Sequence, residues 1–199
     1  MIAALPRLTA EDQGVLSWRL ACALVDRDWP QATELIARMK GSEDLNFSYA
    51  VGPVSADCYF ILLSRYQGEQ PSENPGFAEI REKLSQKVQA SSGSAGLLSN
   101  LAVVDALLGK KDKAIAEAKR TIEMLPISQD AVGGPAVLKN SAVVYTWTDE
   151  PHLAFETLRY LTKVPSGVYY GDLKLDPYWD PLRKDPRFEQ LLTELAPGD

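Results

Sequence analysis

Few of the residues that carry enzyme chemistry or disulfide bonds occur in this sequence. Among its 199 residues there are two cysteines, Cys22 and Cys58, and a single histidine, His152. Two isolated cysteines form neither a metal-binding spacing nor a disulfide framework, so we interpret both as buried thiols. A lone histidine at a helix start offers no nucleophile–base pair, and a surface position is expected for it. These absences argue against an enzyme, and we predict no cofactor and no metal site.

The sequence also lacks long apolar runs and strongly basic regions. Apolar stretches such as 58–63 and 142–145 are far too short to span a bilayer. The net charge is −6 and the isoelectric point is about 4.9. Binding to duplex nucleic acid requires clustered lysine and arginine, which this acidic balance disfavours. We therefore predict a soluble, cytoplasmic protein that binds neither membranes nor nucleic acid through this region.

The C-terminal region contains four aspartates at regular intervals that resemble a carboxylate ladder for calcium. They are Asp172, Asp176, Asp180 and Asp185. An EF-hand alternates its ligands around a central glycine, and this spacing does not. We interpret most of these aspartates as helix caps instead of metal ligands.

A phrase consisting of a turn, an alanine and a helix-like segment recurs along the chain. Its alanines are Ala32, Ala78, Ala114 and Ala154, whose spacing is close to the length of a helical hairpin. Each phrase follows another segment whose apolar residues have helical spacing. The pattern predicts a single all-α domain of about four helical hairpins. The hairpins are expected at 9–41, 55–90, 95–126 and 136–163, with a closing segment at 172–196.

Two local features refine this prediction. Thr9 is expected to cap the first helix, and Gly41 with Ser42 to end the second. Residues 143–147 are rich in valine and aromatic residues and on propensity alone favour a strand. The repeat register and the absence of a partner strand favour a helix there, so we predict a helix.

The third and fourth hairpins resemble tetratricopeptide units. With Ala114 as the small residue of a second helix, Ala102 falls at the small position of the first helix and Gly109 at the turn. Small residues at these positions let two helices approach closely. Three departures from the family pattern are present: no unit carries its early tryptophan, the first unit has Leu20 at the small position, and the second unit contains an insertion. Further matches are Pro126, Ala142, Tyr145, Ala154 and Pro165.

Residues 175–188, with the sequence LDPYWDPLRKDPRF, resemble the segment that closes tetratricopeptide regions in many bacterial signalling proteins. In that group the repeats commonly follow a serine/threonine kinase, a cyclase or a winged-helix domain. Asp180 and Asp185 each precede a proline, so each is expected to cap a short helix. The apolar residues of the segment are expected to seal the open end of the stack. These residues are Trp179, Leu182, Phe188, Leu191 and Leu192.

The resemblance implies a scaffold for protein–protein interaction, built as a right-handed superhelix whose first helices line a concave groove. In such arrays an asparagine of the first helix often holds the backbone of an extended ligand. Asn100 and Asn140 occupy equivalent positions in the third and fourth units, and Lys139 is placed to meet a carboxylate of a partner. Trp18 and Tyr59 stand at the matching positions of the first two units as apolar anchors. Packing between units or solvated surface is the alternative interpretation for the four residues at matching positions, Trp18, Tyr59, Asn100 and Asn140.

Two other functions are compatible with the sequence. One is a regulatory sensor that binds a small ligand and controls an attached output domain. Its support is a group of aromatic residues near the unit ends, namely Tyr145, Trp147, Tyr169 and Tyr170. The other is self-association through the exposed end of the stack.

Overall fold

Helices account for all regular structure in the described part of the chain. The computed structural model describes residues 12–39, 56–69, 71, 74–91 and 93–196. These ranges contain no strand, so the all-α prediction is confirmed. None of the helices there has both the length and the apolar character that crossing a bilayer requires. In chain order the helices are α1 (Gln13–Asp26), α2 (Trp29–Arg38), α3 (Ala56–Tyr66), α4 (Pro75–Ala90), α5 (Ala95–Leu107), α6 (Lys111–Met124), α7 (Gly133–Trp147), α8 (Pro151–Leu161), α9 (Tyr170–Leu175), a 3₁₀ helix (Pro177–Leu182) and α10 (Pro186–Leu195).

The helix positions follow the apolar periodicity closely. The bounds predicted for the third and fourth hairpins agree with α5 to α8 to within three residues. Residues 143–147 lie inside α7, as predicted, because tertiary packing overrides their strand propensity. The predicted cap at Thr9 and the predicted helix end at Gly41 and Ser42 lie outside the described residues.

Four helices end in the same hydrogen-bonded turn. A residue with left-handed backbone conformation follows each of α1, α3, α5 and α7, at Arg27, Gly68, Gly109 and Asp149. The next residue donates its backbone N–H to a carbonyl five residues earlier, at 2.8 to 2.9 Å in all four cases. This is the longer bond of a Schellman motif. The four left-handed positions are almost evenly spaced along the chain, so the backbone repeats with a nearly constant period.

The helices pack in pairs and carry buried alanines. α1 packs on α2, α5 on α6, and α7 on α8, and α5 also packs on α7. The second pair differs, because α4 contacts α5 more extensively than it contacts α3. A longer connection separates α3 from α4. Ala78 was expected to be equivalent to Ala32, Ala114 and Ala154, and this expectation is wrong because Ala78 is exposed. The described alanines that are completely or almost completely buried are Ala23, Ala32, Ala102, Ala106, Ala114, Ala118, Ala142 and Ala154.

The C-terminal segment belongs to the main hydrophobic core. The 3₁₀ helix packs on α7, α9 packs on α10, and α10 packs on α8. Four of the five residues predicted to seal the stack are buried in the same cluster as the hairpin residues, and Leu192 is partly buried against it. The segment therefore packs across several helices of the domain as well as against the last one.

The aspartates of this segment cap helices, with one exception. Asp185 caps α10 as predicted, since its Oδ1 accepts the backbone N–H of Arg187 at 2.9 Å. The prediction for Asp180 is wrong. The cap of the 3₁₀ helix is Asp176, whose Oδ1 accepts the backbone N–H of Tyr178 at 2.9 Å. Asp180 lies inside that helix, and its carboxylate accepts two hydrogen bonds from Arg27 at 2.6 and 3.2 Å.

A buried carboxylate connects α4, α5 and α6. Asp105 is fully buried and accepts two hydrogen bonds from the Arg81 guanidinium, at 2.6 and 2.9 Å. Burial, and then the negative charge of Asp105, raise the pKa of the neighbouring Glu117 to about 7. Lys113 Nζ lies 3.7 Å from Asp105 and 3.9 Å from Glu117 and partly offsets this rise. Near neutral pH, Glu117 therefore still holds a proton in an appreciable fraction of the molecules.

The raised pKa of Glu117 predicts how stability depends on pH. The unfolded chain releases this proton near pH 4.5 and the folded chain near pH 7, so the free energy of unfolding falls as pH rises through that window. Glu117→Gln keeps the uncharged form. We expect the variant to exceed the parent in stability at pH 8 by about 1 kcal/mol, after allowing for solvent screening. Urea denaturation at pH 5 and pH 8 measures both values.

Glu123→Gln, an exposed position on the same helix, is the matched control and should retain the parental pH dependence. Asp176 also has a pKa raised to about 7 by burial, so Glu117→Gln should reduce the slope without abolishing it. An unchanged slope in Glu117→Gln would contradict this account of the carboxyl pair.

Candidate functional site

A cavity of about 540 Å³ lies between α1, α3 and the C-terminal segment. Its volume falls within the range of about 300–1,000 Å³ that is usual for ligand sites. Most of its wall is apolar, with aromatic and aliphatic side chains from all three parts of the chain. The principal apolar residues are Trp18 and Leu24 from α1, Tyr59 and Leu62 from α3, and Leu175 and Tyr178 from the C-terminal segment.

Exposed apolar side chains concentrate at this cavity. Trp18 and Tyr169 are each 58% exposed and Leu175 is 44% exposed, and all three line it. The other large apolar side chains exposed in the described ranges, Val132 and Tyr160, do not. Single exposed apolar residues need no explanation, whereas a cluster of them at a concave site is typical of a binding surface.

The charged groups of the cavity are all acidic. Asp26, Asp172 and Asp176 line it, and no lysine, arginine or histidine does so in the described part of the chain. Asp172 accepts the backbone N–H of Tyr169 at 3.1 Å and lies 3.5 Å from Lys139 Nζ, which partly neutralises it. Burial raises the pKa of Asp176 to about 7, and the hydrogen bond from the Tyr178 N–H only partly opposes this rise. The cavity thus combines apolar walls with three acidic groups, of which Asp172 is paired with a lysine and Asp176 is partly protonated near neutral pH.

The C-terminal wall is held by side chains from the ends of three helices. Arg27, which follows α1, makes a two-bond ion pair with Asp180. The Tyr66 hydroxyl, at the end of α3, donates to the carbonyl of Pro177. The Trp147 indole N–H, at the end of α7, donates to the carbonyl of Tyr178 at 3.0 Å. These bonds place the 3₁₀ helix across the C-terminal ends of alternate helices.

A group of aromatic rings supports the same contact. Trp29 stacks on Tyr66 with ring centroids 4.5 Å apart, and Tyr66 meets Trp147 edge-on at 5.8 Å. The Arg65 guanidinium lies 5.4 Å from the centre of the Trp147 ring. Burial raises the pKa of Tyr66, so its hydroxyl remains a hydrogen-bond donor at every physiological pH. Trp147, which the sequence suggested as a ligand contact, therefore has a packing partner within the chain.

The four equivalent positions predicted to face a partner fall into two pairs in the structure. Trp18, Tyr59, Asn100 and Asn140 each lie nine residues before the left-handed residue that ends their helix, so their equivalence holds in the backbone. Trp18 and Tyr59 line the cavity. Asn100 and Asn140 do not, and each is only 2% exposed.

The two asparagines contact each other between α5 and α7. The Asn140 Nδ2 amide donates to Asn100 Oδ1 at 3.1 Å and to Ser99 Oγ at 2.7 Å. This arrangement corresponds to the packing interpretation of these residues. Their contact with a peptide backbone stays a prediction, which would require the helices to open.

Other candidate residues have clear positions. Lys139 does meet a carboxylate, but the carboxylate belongs to Asp172 of the same chain. The prediction that Cys22 is buried is wrong, because Cys22 is exposed and lines the cavity. The side chain of Cys58 lies outside the described residues. His152 is on the surface as expected, with 84% of its side chain exposed.

Sequence reasoning missed most of the C-terminal wall. In the sequence Tyr169 stands out only as an aromatic residue near a unit end, Leu175 and Tyr178 only as parts of a closing segment, and Asp176 only as an expected helix cap. The surplus of apolar residues after the last hairpin is the available signal. It does not reveal which helices that segment contacts.

The described residues contain no group of three or more histidine, cysteine, aspartate or glutamate side chains placed to hold a metal ion. No known family model matches the chain, and no curated protein and no solved structure is significantly similar to it. The tetratricopeptide resemblance therefore rests on the residues quoted above and stays a prediction.

The ion pair between Arg27 and Asp180 predicts how the wall responds to substitution. Arg27→Met removes both hydrogen bonds, and we expect it to lower the free energy of unfolding by about 1 kcal/mol, because the pair is partly exposed. Amide hydrogen exchange in 177–182 should accelerate more than exchange in α5 and α6. Arg19→Met, an exposed position on α1, is the control. Equal acceleration throughout the chain would contradict a local role for this pair.

Proposed function

We propose that this chain is a protein-interaction module of the tetratricopeptide type, which takes an apolar segment of a partner protein into the cavity between α1, α3 and the C-terminal segment. The observation that carries the proposal is the cluster of exposed Trp18, Tyr169 and Leu175 around that cavity. Aromatic anchors that enter or surround an apolar pocket commonly supply much of the binding energy of an interface.

The repeated turns and paired helices support the array. Schellman turns recur at nearly even intervals, and the paired helices carry buried alanines. The interval between turns is longer than a standard tetratricopeptide unit, which has about 34 residues. The second pair also packs irregularly, since α4 contacts mainly α5. A distorted superhelix of four hairpins accommodates both departures.

In this proposal the C-terminal segment completes the binding surface. In a regular array the first helices of successive hairpins line the inner face, and here the 3₁₀ helix packs at the ends of α1, α3 and α7. It leaves an apolar recess between the first two hairpins and itself. A partner segment of a few residues matches this recess better than it matches a long open groove.

The resemblance of residues 175–188 to the closing segment of bacterial signalling proteins supplies the proposed context. The module would then be the C-terminal region of a larger cytoplasmic protein. Its partner would be a peptide or a neighbouring domain, for example that of an attached kinase, cyclase or winged-helix regulator. The proposal assigns no enzymatic activity to the module itself.

Selection of peptides on the purified protein tests the cavity. We expect peptides selected from a random display library to bind Trp18→Ala/Tyr169→Ala at least tenfold more weakly than the parent, because the variant removes two exposed aromatic side chains that line the cavity. Fluorescence anisotropy measures the affinities, and circular dichroism checks that helicity is unchanged.

Tyr160→Ala is the matched control, because Tyr160 is 52% exposed but lies on α8 away from the cavity. It should leave the affinities within about twofold of the parent, as a contact outside the interface does. Equal losses in both variants, or no loss in Trp18→Ala/Tyr169→Ala, would contradict the assignment of the cavity as the docking site.

A regulatory sensor for a small apolar ligand is the second candidate. It is favoured by the cavity volume of about 540 Å³ and by the presence of Tyr169, one of the aromatic residues noted for this function. A ligand that binds only the folded form raises the thermal midpoint. A metabolite whose stabilising effect disappears in Trp18→Ala/Tyr169→Ala would favour the sensor over the protein-interaction module.

A further inference from the structure

The charge of the cavity identifies the chemistry of its occupant. The acidic residues Asp26, Asp172 and Asp176 border apolar walls, with no cationic side chain among the described residues that line the cavity. Because its pKa is raised to about 7, Asp176 carries only part of its negative charge at neutral pH and most of it at pH 8. A nearby cation, Lys139, pairs with Asp172 from outside the lining. Another nearby cation, Arg27, is engaged by Asp180. A negative potential beside a low-dielectric wall favours a cationic occupant and disfavours an anionic one.

Aromatic rings of the same cavity favour the same charge. Trp18 and Tyr169 line it and are exposed, whereas Tyr59 and Tyr178 line it but are almost completely buried. The face of an aromatic ring attracts lysine and arginine side chains, typically by about 0.5–2 kcal/mol. Both side chains also carry an aliphatic stem that packs against apolar surface while the charged head remains near acidic groups.

We propose that the cavity binds a basic, amphipathic segment of a partner protein, with a lysine or arginine directed at the aspartates and an adjacent leucine-sized residue against the apolar wall. This inference rests on the proposed function, since it names the kind of segment that the module takes. An acidic segment would bring like charges together in the cavity and lose affinity.

The aspartates have local roles that limit which substitutions are informative. Asp172 pairs with Lys139 and accepts the backbone N–H of Tyr169 at the start of α9. Its removal would leave Lys139 without this ion-pair partner and weaken the cap of α9. Asp176 caps the 3₁₀ helix through one oxygen, and asparagine retains such an acceptor. Asp26 is exposed. Asp26→Asn/Asp176→Asn therefore removes negative charge from the cavity with the least disturbance of the fold.

The experiment uses the strongest peptide from the display selection whose binding depends on Trp18 and Tyr169. We expect this peptide to contain lysine or arginine beside a large apolar residue. Replacing its basic residues by glutamine should weaken binding to the parent protein on the order of tenfold. The same replacement should change binding to Asp26→Asn/Asp176→Asn by less than about twofold, because the acidic residue that remains in the cavity, Asp172, is already paired with Lys139.

Glu34→Gln/Glu194→Gln is the matched control, since it replaces two exposed acidic residues outside the cavity. This variant should still bind the selected peptide about tenfold more tightly than the version whose basic residues are replaced by glutamine. If it loses as much discrimination as Asp26→Asn/Asp176→Asn, the preference comes from the overall negative charge of the protein, and the inference is overturned.

The remaining outcomes separate this inference from the function on which it rests. One contrary result is a selected peptide that depends on Trp18 and Tyr169 yet contains no basic residue, and another is a peptide that binds equally well after its basic residues are replaced by glutamine. Either result would overturn the inference and leave the docking site intact. A selection that yields no peptide dependent on Trp18 and Tyr169 would overturn both.

Discussion

The packing of the 3₁₀ helix across the ends of α1, α3 and α7 is the contact on which the rest of the site depends. It joins residues that are 111 to 153 positions apart in the Tyr66–Pro177 and Arg27–Asp180 contacts. Helical hairpins stack by contacts between neighbours, so a C-terminal segment that reaches the first hairpin adds a long-range connection. It also supplies one wall of the cavity. The shape of the cavity and the integrity of the fold therefore depend on the same few side chains.

The ion pair between Arg27 and Asp180 also offsets backbone strain at the turn after α1. Arg27 adopts a left-handed backbone conformation, which costs a non-glycine residue about 1–2 kcal/mol. At the equivalent turn after α5 that conformation is adopted by Gly109 without such a cost. The Arg27 side chain gains two charge-assisted hydrogen bonds to Asp180 and a third hydrogen bond to the carbonyl of Val25. The hydrogen bonds that the arginine makes to the C-terminal segment thus offset the backbone strain that a glycine at this turn would avoid.

Much of the helical fold could be predicted from the sequence, because local periodicity determines it. Spacing of apolar residues located α5 to α8 closely, and the four positions from Trp18 to Asn140 are equivalent in the structure as predicted. Long-range packing could not be predicted in this way. The Asp-Pro pair at 180 and 181 suggested a cap, but a distant arginine engages that carboxylate instead. Likewise, equivalence along the chain did not reveal that the asparagines pack together while Trp18 and Tyr59 face a cavity.

The indole N–H of Trp147 reports most directly on the docking of the C-terminal segment, because its acceptor is the carbonyl of Tyr178. Nitrogen-15 spectra resolve the indole groups of the four tryptophans of the chain, and exchange into deuterium oxide gives a rate for each. We expect the Trp147 indole proton to exchange far more slowly than that of the exposed Trp18, and to exchange faster in Arg27→Met. Exchange at Trp147 as fast as at Trp18 would show that the segment does not stay docked and would contradict this account of the site.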